Sequence, residues 1–179
     1  MSKSLLTISL IIICTLPLQD LYAEEMSLQD KIASAMSAAP ARISENATIQ
    51  DSDGTVLKEG SNGWVCIPGG PKGTTKFPMC NDKVFMKWMA TVWSDKPFST
   101  DEIGYSYMLA GGYAANFKDP KASGADATDN YFEGPHMMLI LPDRGARNML
   151  PSNPSDGGIF VLWKDTPMEL VIIPIGERE

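Results

Sequence analysis

His136 is the chain's single histidine, and it stands directly before Met137 and Met138. Imidazole beside thioether is a soft donor set of the kind that selects Cu(I). Strand geometry limits it. Neighbours along a strand face opposite sides, so His136 and Met138 can share a site and Met137 cannot. Further donors must come from elsewhere, and Met108, Met79 and Met149 are the candidates. Eleven methionines in 179 residues is a high count, although methionine also fills gaps in cores. The plainer reading of His136 is a ring satisfied by backbone or carboxylate partners.

A second chemistry is hydrolysis with His136 as general base, oriented by Glu133 or Asp143, with Ser106 or Tyr107 in reach. Such a base needs both an orienting acid and a nucleophile. No Gly-x-Ser-x-Gly elbow and no zinc signature accompany it. The sequence therefore leaves open whether the protein is an enzyme, and it names no cofactor. Calcium is the weakest case. Asp51-Ser-Asp53-Gly54 would place Gly60 where an EF-hand needs Glu. Asp119, Asp126, Asp129 and Glu133 read as a solvated acidic stretch. One histidine excludes a multi-histidine metal site. A formal net charge of -7 excludes the basic face of a nucleic-acid binder.

The first residues read as a signal peptide over residues 1–23, followed by a single domain over 24–179. Lys3 precedes an apolar run from Leu5 to Leu18, and Leu21-Tyr22-Ala23 offers a small residue for cleavage. The run is shorter than the roughly 20 residues needed to cross a bilayer, so no membrane span is expected after cleavage. Cys14 leaves with the leader, because Ile13 is not the small residue that lipidation requires. Cys66 and Cys80 remain. In an oxidising compartment, periplasmic or extracellular, two leftover cysteines are expected to pair. Closing a loop of about 15 residues contributes roughly 3 kcal/mol, and this loop is rich in Gly and Pro.

Two helices are expected to position these groups. Ser27 and Asp30 form a capping pair ahead of Leu28, Ile32, Ala35, Met36 and Ala39 on one face, with Pro40 as the end. Between about Asp82 and Ser94, Val84, Phe85, Trp88, Met89, Val92 and Trp93 make a wide apolar stripe. That period favours a helix face packed on a sheet over a ligand-binding box. Asp51 to Gly54 predicts a hairpin turn, and Trp64 to Ile67 a short strand with Cys66. Ile103 to Leu109 alternates as a two-faced strand. Met137–Leu141, Ile159–Trp163 and Leu170–Ile175 are continuous apolar runs, expected to be buried on both faces. No helical crossovers separate them. The expected fold is α+β, a mainly antiparallel sheet with both helices packed on one face. Residues 110–135 show no period, and their aromatic residues argue for a functional loop over disorder.

Several blocks occur in a fixed order: Asp53-Gly54-Thr55, Gly60-x-x-Gly63-Trp64-x-Cys66, Pro78-Met79-Cys80, Ser106-Tyr107-Met108-Leu109-x-Gly111-Gly112, Gly134-Pro135-His136-Met137-Met138, Lys164-x-Thr166-Pro167 and Ile172-Ile173-Pro174. In these the chain resembles a family of small exported bacterial proteins of uncharacterised function, over about Asp30 to Pro174. Members carry an Asn-x-Asp-Pro run after the Gly-Gly, and Asn116 to Pro120 here is one residue longer. The resemblance implies export and the Cys66–Cys80 pair, and it carries no catalytic residue. The functional expectation is a non-enzymatic binding or interaction module of the cell envelope. Its ligand surface would be the 110–135 loop with Tyr105, Tyr107 and His136, and its partner a small molecule or an envelope protein.

Overall fold

In the computed structural model, which describes residues 25–72, 74–92, 98–114, 116–122, 130–142 and 144–177, the Ser27 hydroxyl starts the first helix. It accepts from the Asp30 backbone N–H at 3.2 Å and donates to the Asp30 carboxylate at 2.6 Å, satisfying a donor that the first turn otherwise leaves open. Helix α1 (Leu28–Ser37) follows, and Pro40 ends that run and opens the short α2 (Ala41–Ser44). The expected leader, with Cys14, lies outside the described residues. No helix among the described residues is long and apolar enough to cross a membrane.

Strands β1 (Thr48–Gln50) and β2 (Val56–Lys58) form the predicted hairpin, with Gly54 at φ 93° in its turn. Then come β3 (Val65–Ile67), β4 (Met79–Asn81), α3 (Lys83–Val92), β5 (Gly104–Met108), β6 (Gly112–Ala114), β7 (Tyr131–Glu133), β8 (His136–Ile140), α4 (Arg144–Asn148), β9 (Phe160–Leu162) and β10 (Leu170–Pro174). Among the described residues, eight strands make one sheet in the order β2-β1-β3-β4-β5-β8-β10-β9, and β6 and β7 pair separately. Neighbours in the large sheet are antiparallel except β1 and β3. The α+β class with two helices on a mainly antiparallel sheet is therefore observed.

The helices do not share a face. Ala35, Ala38 and Ala39 of and just beyond α1 cluster with Cys66, Cys80 and Tyr107. Phe85 and Trp88 of α3 cluster with Met108, Met138 and Ile140. Tyr107 and Met108 are successive residues of one strand and point to opposite sides, so α1 and α3 cover opposite faces. Asp82 caps α3 by accepting from Phe85 N at 2.7 Å. Cys66 and Cys80 sit directly opposite each other on β3 and β4 and form a disulfide, with Cα atoms 3.9 Å apart.

Of the three apolar runs, β9 is buried along its length, and β10 over its first three residues. In β8 burial alternates, with Met137 and Leu139 only half-buried. The reason is the reach of α1, which packs mainly on β1 to β4 and leaves that side of β5 and β8 partly open. The unpatterned stretch 110–135 also holds regular structure, the antiparallel β6–β7 ribbon.

Candidate functional site

The ribbon and α3 lie over one face of the sheet and border a cavity of about 200 Å3 that opens to solvent. Parity decides most of what reaches it. Gly112 opposes Glu133 and Ala114 opposes Tyr131, and these four line the cavity together with Tyr113, which has the opposite parity. From the sheet come Met79, Met108, His136, Met138, Leu162, Leu170 and Ile172. Helix α3 adds Phe85, Trp88 and Met89, and the β9–β10 turn adds Trp163 and Met168. Five of the eleven methionines thus face one space.

That turn is a forced one. Trp163 and Asp165 take φ of 54° and 66°, left-handed values that cost a residue with a β-carbon roughly 1–2 kcal/mol each. Side-chain bonds hold it. Trp163 Nε1 donates to Asn116 O at 2.9 Å, Thr166 Oγ1 to Trp163 O at 2.7 Å, and Asp165 N to the Glu169 carboxylate at 3.2 Å. Glu169 is in turn paired with Arg147 of α4 at 2.9 Å, both nearly buried.

The polar end of the cavity consists of His136, Glu133 and Tyr131. His136 is 3% exposed and Glu133 1%. The Tyr131 hydroxyl donates to Glu133 Oε2, and the Tyr131 ring meets Phe160 edge-on, centroids 5.6 Å apart. His136 Nδ1 lies 2.7 Å from Gly134 O. A carbonyl only accepts, so Nδ1 carries the proton and Nε2 keeps its lone pair on the cavity wall. Among the described residues Nε2 has no hydrogen-bond partner. Burial pushes the His136 pKa below its ordinary value, against the opposing pull of the Gly134 carbonyl and the Glu133 charge. The ring is neutral at pH 7.

His136 stands opposite Met108 across the β5–β8 pair. A β-carbon on Gly112 would lie 2.9 Å from His136 Cε1, 3.0 Å from Met108 Cε and 3.3 Å from Met108 Sδ. The bare glycine makes room for both side chains to converge.

The predicted residues separate into two groups. His136 and Met138 share the cavity face, and Met108 and Met79 arrive as further donors. Met137 faces the other way, and Met149 is 87% exposed. Tyr105 and Tyr107 do not join His136. Tyr107 is opposite Met137 and Tyr105 opposite Leu139, so both tyrosines project from the other face. Tyr107 packs on Trp64 at 5.7 Å between centroids. The structure therefore does not bring Tyr105 and Tyr107 onto one surface with His136. Ser106 does not line the cavity; its hydroxyl donates to Asn81 Oδ1 at 2.6 Å. Asp143, Asp126 and Asp129 lie outside the described residues. Asp119 accepts from the Lys121 backbone N–H, and among the described residues no three His, Cys, Asp or Glu side chains gather for a metal. Gly112, Ala114 and Tyr131 belong to the 110–135 stretch expected to form the ligand surface, whereas nothing in the sequence marks Leu162, Trp163 and Met168 as site residues.

No family model, no curated protein and no solved structure matches the chain.

Proposed function

We propose that the protein is an exported, non-enzymatic binding module of the cell envelope, and that its binding site is the cavity beneath the β6–β7 ribbon. The observation that carries this reading is the wall itself: thioether and aromatic surface on nearly all sides, and one neutral imidazole with a free lone pair at the polar end. A mostly apolar pocket with a few convergent polar groups is the usual form of a small-molecule site. An apolar cavity of about 150 Å3 accepts a benzene-sized guest, so about 200 Å3 admits one ring with a few further atoms. The leader-like first residues and the disulfide support an oxidising destination. Against catalysis stands the commitment of Ser106 to Asn81, which leaves His136 without that hydroxyl as a nucleophile.

The test uses methionine methyl resonances. Phenol or indole titrated into the protein should shift Met79, Met89, Met108, Met138 and Met168, and leave Met149 and Met36 unmoved. Ala114→Leu, which fills the cavity without removing a polar group, should abolish those shifts. Uniform shifts at all methionines, or none, would overturn the cavity as the binding site.

A further inference from the structure

We infer that the cavity is a Cu(I) site, with His136 Nε2 and the Sδ atoms of Met108, Met138 and Met79 as its donors; this rests on the cavity being the protein's binding site and names what it binds.

The donors are placed by the backbone. His136 and Met108 are directly opposed on β8 and β5, where β-carbons stand about 4.5–5.5 Å apart. Met138 is two residues along β8 from His136 and on the same face. Cys80 pairs with Tyr107, which sets Met79 beside Met108 in the next strand. One imidazole and two thioethers therefore form a row across three adjacent strands, with a third thioether alongside, and all four line the same space. The convergence of Met108 Sδ and His136 Cε1 on the position above Gly112 brings two of these side chains together. Methionine is unbranched with three rotatable bonds, so the remaining sulfur atoms can close on a small ion without moving a strand.

The chemistry selects the metal. Thioethers hold soft ions and suit Cu(I), whereas zinc takes thiolate, imidazole and carboxylate in sets of three or four. No such set of His, Cys, Asp and Glu exists among the described residues. His136 carries the outer contact that ligating histidines show, its second ring nitrogen donating to a backbone carbonyl. Neutral donors leave the ion's single positive charge uncompensated, which is costly in an apolar space. Glu133 is buried on the same wall and is the carboxyl group placed to offset that charge.

The experiment is an anaerobic titration of the purified protein with Cu(I) against a chromophoric Cu(I) chelator, with Zn(II) in parallel. One equivalent of Cu(I) should bind with a sub-micromolar Kd, and zinc should not compete. Met108→Leu and Met138→Leu keep the apolar volume and should each weaken Cu(I) at least tenfold, with circular dichroism confirming the fold. Met137→Leu, on the opposite face, should change nothing. Binding no tighter than micromolar while phenol still enters the cavity would overturn the metal and leave the binding module standing. Unchanged affinity in both leucine variants would equally overturn this donor set. Exclusion of phenol and copper together would remove both readings.

Discussion

The two faces of the eight-stranded sheet are filled by opposite means. Against α1, the interior is Ala35, Ala38, Ala39 and Ala47 with Ile49 and the Cys66–Cys80 disulfide, nearly all without exposure. Against α3, it is Phe85, Trp88, Phe160 and a set of methionines around open space. Short side chains let the helix approach closely and leave nothing to rearrange. Long unbranched thioethers and rings touch without filling, and they can adjust. The same strands serve both sides: β4 gives Cys80 to one and Met79 to the other, and β5 gives Tyr107 and Met108. Scaffold and site are thus divided by side-chain parity, not by position along the chain.

The strongest way to break this contrast is to remove the disulfide. Cys66→Ala with Cys80→Ala should lower the unfolding free energy by about 3 kcal/mol, the loop-entropy value, measured by urea denaturation. A loss below about 1 kcal/mol would mean that the alanine face stands on packing alone. Next comes one substitution made on both sides. Ala38→Leu should cost roughly 1–3 kcal/mol by overpacking, whereas Ala114→Leu should be neutral or stabilising by up to about 1 kcal/mol as it fills a void. Equal losses would erase the distinction. Met138→Leu should cost less than about 1.5 kcal/mol in the same assay. The smallest effect is on pH dependence. His136 titrates below its ordinary value of 6.5, so the native state binds fewer protons than the unfolded chain in that range. Its contribution is full above pH 6.5 and is lost as the pH falls below it. In the metal-free protein, His136→Gln should remove that decline from the pH profile of the denaturation midpoint.

Much of this architecture is legible in local pattern. Val84, Phe85, Trp88 and Met89 announce α3, Ser27 and Asp30 announce α1, and Asp51 to Gly54 announces the first hairpin, because each signal lies within one element. The opposed placement of the helices is not legible. Ile103 to Leu109 carries apolar side chains on both of its faces, so nothing local says which helix covers which. Parallel pairing of β1 with β3 and the arrival of Met79 beside Met108 are contacts between distant segments. The β6–β7 ribbon is hidden for another reason: two three-residue strands built partly from glycine and alanine have no hydrophobic period. His136 and Met138 could be paired from strand parity, but the burial of Glu133 depends on Gly112 opposite it, which only the ribbon's register reveals.

The cavity wall takes residues from Met79 to Ile172, and the exit of β7 is fastened by the end of the last strand, where Ile175 N and Gly176 N donate to Pro135 O at 2.8 and 3.1 Å. The alanine face, by contrast, is complete by Tyr107. During synthesis the first half can condense early, while the half around the cavity must wait for β10. Distant pairings form slowly, so a chain interrupted before β10 would be a folded platform whose cavity lacks the wall that Leu170 and Ile172 supply.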